Sequence, residues 1–200
     1  MCDIVAVNNA SVRPFPQPSS PREELHFRRI DMRGYRRADG LYEIEGCIVD
    51  RKPHEFAPNN GGRTVAAGKP IHDMGVRLVF DESMLIHEVH TFSAGFPYAH
   101  CPEGGNALQA LKGVRMSGGW AKEVRGRVPA ADSCTHLREI LIPMASAAFQ
   151  SLTMLRLNQP PRLDAEGRPV KIDSCYAYGH QRELVRVRYP EHYRPGDSQE

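Results

Sequence analysis

The chain has 200 residues, with 26 basic and 24 acidic side chains and a formal net charge of +2. This near balance gives no electrostatic reason to expect nucleic acid or an acidic membrane surface as a partner. The length suits one domain with a proper core, and no apolar run is long enough to span a bilayer. The five cysteines form no Cys-x-x-Cys pair and the first residues lack a secretion signal, so we expect a cytoplasmic protein without a disulfide framework.

The two ends of the chain are predicted to lie outside the folded domain. Residues 1–24 contain four prolines interleaved with serines, which favours an extended, flexible arm. Residues 189–200 are poor in apolar side chains and are predicted to form a tail. We therefore expect a single domain over residues 25–188.

Strand-like patterns come first within this domain. Alternation of apolar and polar side chains predicts strands over residues 25–37, 41–50, 71–80 and 84–92. The turn signal Asp39-Gly40 joins the first two strands into a hairpin.

Helix-like patterns follow the strands. Helices are predicted over residues 106–112, 120–127 and 133–157, the last kinked by Pro143, and two short strands over 170–178 and 184–187. Strands followed by helices indicate an α+β fold. We expect an antiparallel sheet of four or more strands, packed on one face by a C-terminal group of helices.

The start of the longest predicted helix carries a thiol, an imidazole and a carboxylate. Asp132 or Ser133 is predicted to cap it, and the partial positive charge of a helix N-terminus favours thiolate at Cys134. His136 and Glu139 are three residues apart, so the carboxylate could orient the imidazole. A small buried cysteine beside ordinary capping residues is the structural alternative.

A second imidazole lies at the start of the third predicted strand. The other side chains on the same face as His72 are apolar, so His72 is predicted to point toward the interface between sheet and helices. It is either a hydrogen-bonded core residue or a general acid, general base or ligand. We expect a cleft between the sheet and the Ser133 helix start, in which His72 and His136 meet.

Other side chains could bind or protonate a substrate there. Tyr35 or Tyr98 is a candidate acid or phenol partner. Arg37, with Asp39, is a candidate anion holder, because arginine can contact a carboxylate through two parallel hydrogen bonds. Trp120 could stack on a flat ring, although these aromatic side chains could equally fill the core.

Metal binding is an alternative to acid–base chemistry. Cys101, Cys134 and His136, with His72 nearby, could hold zinc or an iron–sulfur cluster. The Cys-x-His spacing is not a usual pair of ligands, and the sequence contains no phosphate loop, dinucleotide motif or HExxH helix. We therefore expect no cofactor.

The chain resembles the bacterial domain-of-unknown-function family 2889. The resemblance rests on residues 26–28, 34–44, 50–52, 68–74, 97–101, 134–139 and 147–150. Ala131-Asp132-Ser133 precedes Cys134 where a Gly-Cys pair is expected of the family, which could alter how the thiol is presented.

The resemblance implies a function in bacteria that degrade plant-derived aromatic compounds. It points to a lyase that cleaves a C–C bond in a small aromatic substrate and releases a small aldehyde such as formaldehyde. Such a step needs a base for a hydroxyl proton and an acid for the developing carbanion. A homo-oligomer is a further expectation. The alternatives are a metal or iron–sulfur protein, and a non-catalytic binding module that uses the arginine-rich first strand.

Overall fold

A computed structural model describes residues 18–59, 61–157 and 159–195. Four strands form one antiparallel sheet in the order β1-β2-β3-β4. They are β1 (Phe27–Arg36), β2 (Tyr42–Arg51), β3 (Pro70–Phe80) and β4 (Ile86–Gly95). The four predicted strands are thus confirmed, with ends that shift by a few residues, and the α+β architecture is confirmed with them.

Side-chain alternation gives the sheet an apolar inner face and a polar outer face. Ile44 and Ile48 of β2 are fully buried on the inner face, as are Met74 and Leu78 of β3. The intervening side chains of β2, such as Glu45, remain partly exposed on the outer face. The inner face therefore forms the core.

Helical segments follow the sheet in the chain. They are a 3₁₀ helix (Cys101–Leu111), α1 (Trp120–Arg127), a 3₁₀ turn (Ala130–Asp132), α2 (Thr135–Ser151) and α3 (Thr153–Arg156). The helix predicted over 133–157 is therefore too long, because the backbone leaves the helical region at Leu152, where ψ is 3°. Pro143 lies inside α2 without ending it.

Helix α2 lies against the inner face in direct contact with the backbone of β2. A Cβ atom added to Gly46 would lie only 2.7 Å from Sδ of Met144 and 3.4 Å from Cδ1 of Ile140. One added to Gly34 of β1 would meet Ser151 at the other end of the helix. Helix α2 consequently runs antiparallel to β2, and its first turn lies over the end of that strand.

The chain divides into two compact units, with the boundary after Thr153. In the second unit, the strand predicted over residues 170–178 is wrong. Asp173 has a φ of 61°, in the left-handed region that strands do not adopt. A 3₁₀ turn at Tyr176–Tyr178 follows it.

The strand predicted over residues 184–187 is also wrong, because this segment belongs to helix α4 (Glu183–Arg188). A short apolar run does not by itself distinguish a strand from a helix. Glu183 and Arg186 form an ion pair three residues apart, a spacing that brings side chains together on a helix. This pair is a helical signal that the sequence analysis missed.

Most of the predicted arm (residues 1–17) and the last five residues of the predicted tail (196–200) lie outside the described residues. The described residues 18–26 are exposed and contain no helix or strand. A short 3₁₀ turn, Pro190–His192, begins the predicted tail. In the part of the chain that the structure describes, no helix combines the length and apolarity needed to cross a bilayer.

The contact between α2 and β2 predicts the effect of a substitution at Gly46. Gly46→Ala should lower the free energy of unfolding by about 1–3 kcal/mol, because the new methyl group overpacks the space filled by Met144. Urea unfolding monitored by circular dichroism measures the change.

Gly126→Ala is the matched control for this prediction. An added Cβ at Gly126 meets no atom within 4 Å, and alanine favours the helical backbone of α1, so stability should stay equal or rise. A Gly46→Ala protein as stable as wild type would contradict the helix placement.

Candidate functional site

A buried carboxylate lies at the centre of the candidate site. Asp50 occupies the end of β2 on the inner face and is only 1% exposed. The strand register places it between Arg28 of β1 and His72 of β3, so the three residues form a row across the sheet. Burying an unpaired charge in such a position would cost free energy. The groups that contact Asp50 therefore determine whether the carboxylate is stable there.

Asp50 is held by hydrogen bonds from both neighbouring strands. Arg28 donates from Nε to Oδ1 at 2.7 Å and from Nη2 to Oδ2 at 2.9 Å. Nδ1 of His72 lies 2.9 Å from Oδ2, and Nε2 of His26 lies 3.3 Å from Oδ1. We call Asp50, His26, Arg28, His72 and His136 the Asp50 cluster.

These contacts keep Asp50 ionised. Burial opposes the charged form, but the hydrogen bonds from His72 and Arg28 outweigh it and hold the pKa of the carboxyl well below its usual range. The same bond to Asp50 raises the pKa of Arg28. Since an ionised carboxylate only accepts hydrogen bonds, Nδ1 of His72 must carry the proton. In neutral His72 the lone pair is therefore on Nε2.

The second imidazole of the cluster comes from the first turn of α2. Nε2 of His136 lies 3.7 Å from Oδ2 of Asp50. The rings of His72 and His136 are in contact, with centroids 3.7 Å apart and planes tilted by 34°. Burial and the neighbouring His72 lower the pKa of His136. The predicted meeting of the two imidazoles between sheet and helix start is therefore observed.

Cys134 lies beside this pair of rings. Its Sγ is 4.0 Å from Nδ1 of His136 and 3.8 Å from Sδ of Met74. Cys134 itself is the residue preceding α2, and its side chain makes no capping hydrogen bond. The prediction that Asp132 or Ser133 caps the helix is wrong, because that segment forms its own 3₁₀ turn, in which the Ser133 hydroxyl donates to the carbonyl of Pro129.

Glu139 is near the cluster but does not hold His136. Both of its oxygens accept hydrogen bonds from Nη1 of Arg28, at 2.8 and 3.1 Å. The carboxylate that faces His136 is Asp50, not the predicted Glu139. Arg28 thus links two carboxylates, one on the sheet and one on α2, which leaves one net negative charge when the imidazoles are neutral.

The predicted partners Tyr35, Arg37 and Asp39 lie away from the cluster. Tyr35 belongs to the outer face, where it lines a groove together with Arg33, Glu45, Arg77 and His90. Strand parity explains the separation, because Tyr35 and Arg28 are an odd number of residues apart on one strand.

Arg37 and Asp39 lie at the opposite end of the hairpin from Asp50. There Arg37 donates to Asp39 and to Glu43, and Asp39 accepts the backbone N–H of Leu41. These groups stabilise the turn, so the structure does not place the predicted anion holder in the cleft.

The other two predicted aromatic residues have separate positions. Trp120 is buried in the core, and its Nε1 donates to the carbonyl of Leu141 at 2.8 Å. Tyr98 is 45% exposed, in the turn after β4, and its ring lies close to Gly62. Trp120 is therefore a packing residue, and no contact brings Tyr98 to the Asp50 cluster among the described residues.

The side chains that could hold a metal differ from those predicted. Within the described residues, one group qualifies: Asp50, His72 and His136 offer ligand atoms that all lie within 4.8 Å of one another. The predicted set of Cys101, Cys134 and His136 is not such a group, although Cys134 and His136 are neighbours. The predicted and observed ligand sets differ because Asp50 and His72 are brought together by strand pairing, which the spacing of residues in the sequence does not show.

Asp50, Arg28 and His26 were not among the predicted site residues. The signal was present, because Ile44, Ile48 and Asp50 share one strand face by parity. The observed register pairs Arg28 with Asp50, whereas counting outward from Asp39-Gly40 as a two-residue turn gives Arg51 as the partner of Arg28. A run of arginines on a strand usually indicates a solvent-exposed face. Arg28 was therefore not expected to contact a buried carboxylate.

The lowered pKa of His136 predicts how stability depends on pH. The unfolded chain binds a proton at His136 near pH 6.5, whereas the folded chain binds it only at lower pH. The stability from keeping His136 neutral is present above pH 6.5 and is lost as pH falls through the folded pKa. His136→Gln should remove this dependence, so the stability difference between wild type and variant should change in that window.

Urea unfolding at pH 7.5, 6.5, 5.5 and 4.5 measures the effect. Relative to the variant, wild type should lose stability as the pH decreases. His90→Gln, on the exposed outer face, is the control and should keep the wild-type slope. If the free energy of unfolding depends on pH in the same way in wild type and in His136→Gln, the pKa of His136 is not lowered.

Comparison with known proteins identifies a family without a known activity. The family model described as "Protein of unknown function (DUF2889)" matches residues 26–150, which include the whole Asp50 cluster. No curated protein and no solved structure matches the chain. The resemblance inferred from the sequence is confirmed, and the chain belongs to the DUF2889 family.

Proposed function

We propose that the chain is a cofactor-independent enzyme that acts by general acid–base chemistry, with His72 as the base. The observation that carries this proposal is the hydrogen bond between Nδ1 of His72 and the ionised, buried Asp50. A carboxylate in this position fixes the tautomer of the imidazole and stabilises the imidazolium that forms when Nε2 accepts a proton. The side chain of His72 is 14% exposed, so part of the ring is reachable from solvent.

The contact between the two imidazoles supports a single imidazolium in the cluster at a time. A proton on either ring disfavours a proton on the other, because two like charges at this distance repel. One ring therefore stays neutral while the other is cationic. The imidazolium of His72 can therefore return its proton to the product while His136 stays neutral.

A lyase reaction fits this pair of proton transfers. His72 takes the hydroxyl proton of a primary alcohol, the oxygen electrons form the carbonyl of formaldehyde, and the adjacent C–C bond breaks. The electron pair of that bond goes to the remaining carbon, which then receives a proton from the imidazolium. No electrons are gained or lost overall, so the step needs no oxidant or reductant. A phenolic ring on the substrate would delocalise the developing negative charge.

The aromatic nature of the substrate is an expectation from the sequence, and no stacking residue in the cleft supports it. Trp120 lies in the core and Tyr35 on the outer face, so neither offers a ring to the cleft. The net negative charge of the site favours neutral phenols and alcohols over aromatic acids. A small, neutral, plant-derived aromatic alcohol is therefore the proposed substrate.

A ligand screen tests the proposed substrate class. Selective binding to the folded state raises the melting temperature, so thermal shifts across a panel of phenolic alcohols should identify ligands. Formaldehyde assayed on each hit should report turnover. If no phenolic alcohol shifts the melting temperature or releases aldehyde, the proposed lyase function is wrong.

Substitution at His72 tests the mechanism on any substrate that turns over. His72→Ala should lower kcat about 10²- to 10⁴-fold, the usual contribution of a general base. Tyr35→Phe is the matched control, because it removes a polar group from the outer face and should leave kcat unchanged. Unchanged turnover in His72→Ala would remove this residue from the mechanism.

A further inference from the structure

We propose that Asp50, His72 and His136 form a binding site for a divalent transition-metal ion of the Zn²⁺ class. Nδ1 of His72 and Nε2 of His136 lie 2.9 and 3.7 Å from the same oxygen, Oδ2 of Asp50. All three ligand atoms lie within 4.8 Å of one another, so one ion can contact all of them with small side-chain rotations. Two imidazoles and one carboxylate are a known set of ligands for zinc and neighbouring metals.

The charges of the site favour a cation. Asp50 offers a carboxylate oxygen, and His72 and His136 each offer a ring nitrogen, the groups that bind such an ion in their deprotonated forms. The charge of Arg28 would oppose a metal, but Glu139 neutralises it through two hydrogen bonds. The incoming ion therefore meets one net negative charge.

The surroundings of the ligands are already ordered. Arg28 holds Asp50 through both carboxylate oxygens, which fixes the direction of the free lone pair on Oδ2. Nε2 of His26 lies 3.3 Å from the other oxygen, Oδ1, and adds a further contact to the carboxylate. Nitrogen donors select Zn²⁺, Co²⁺ or Ni²⁺ over Mg²⁺ and Ca²⁺, which prefer oxygen.

Metal binding would switch off the proposed base. An ion on Nδ1 of His72 requires the ring proton to move to Nε2, so the lone pair that takes the substrate proton is lost. The site would then bind either a metal or a reacting substrate. This inhibition rests on the proposed function, whereas the metal site itself rests only on the geometry.

Co²⁺ is the probe for the site, because its visible absorption reports nitrogen coordination directly. Metal-free wild type should bind one Co²⁺ and exchange it for Zn²⁺, with dissociation constants obtained from absorption and calorimetry. His136→Gln should raise the dissociation constant at least about tenfold. His87→Gln is the matched control, because His87 makes the same 2.9 Å contact with Asp81 but has no second imidazole.

Each outcome decides the proposal. Binding that is weakened by His136→Gln and by Asp50→Asn, but not by His87→Gln, supports the site. Absence of stoichiometric binding, or binding that His136→Gln does not change, overturns it. Circular dichroism of Asp50→Asn shows whether that variant folds, and His136→Gln decides alone if it does not.

A second measurement separates this inference from the proposed function. On an identified substrate, Zn²⁺ should inhibit wild type at the concentration at which it binds. If Zn²⁺ instead increases turnover, the result supports the metal site but contradicts the metal-free mechanism. Binding without any substrate being found would leave the site standing and count against the lyase.

Discussion

Asp50 is the group on which this end of the molecule depends. A carboxylate removed from water is tolerated only where hydrogen bonds and opposite charge replace its hydration. Arg28 from β1, His72 from β3 and His136 from α2 supply these partners. β1, β3 and α2 therefore all contact the carboxylate of Asp50. The same contacts hold His72 and His136 in position.

Local patterns predicted the elements and one part of the site. The Asp39-Gly40 turn and the alternation on both sides of it indicated the hairpin, because turn geometry and side-chain parity are properties of the local chain. The apolar neighbours of His72 along β3 indicated its inward direction in the same way. Since α2 packs on that face, His72 and His136 meet as expected.

Partner choice could not be predicted from local spacing. Glu139 is three residues from His136, but it binds Arg28, which is 111 residues away in the chain. A charged guanidinium offers two strong hydrogen bonds where a neutral imidazole offers one weaker contact. Tyr35 was misplaced for a different reason, because neighbours in sequence lie on opposite faces of a strand. Short-range patterns therefore indicate which way a side chain points, while long-range pairing determines its chemistry.

The place of β1 in the sheet has a consequence for motion. β1 is one of the two edge strands in the order β1-β2-β3-β4, and its Ile30 is 41% exposed although it lies on the inner face. Edge strands with few buried apolar contacts open at lower free energy than central strands. When β1 detaches, Asp50 loses Arg28 while the core between β2, β3 and α2 persists. Hydrogen exchange along β1 and proton uptake by Asp50 thus both report the local opening of β1.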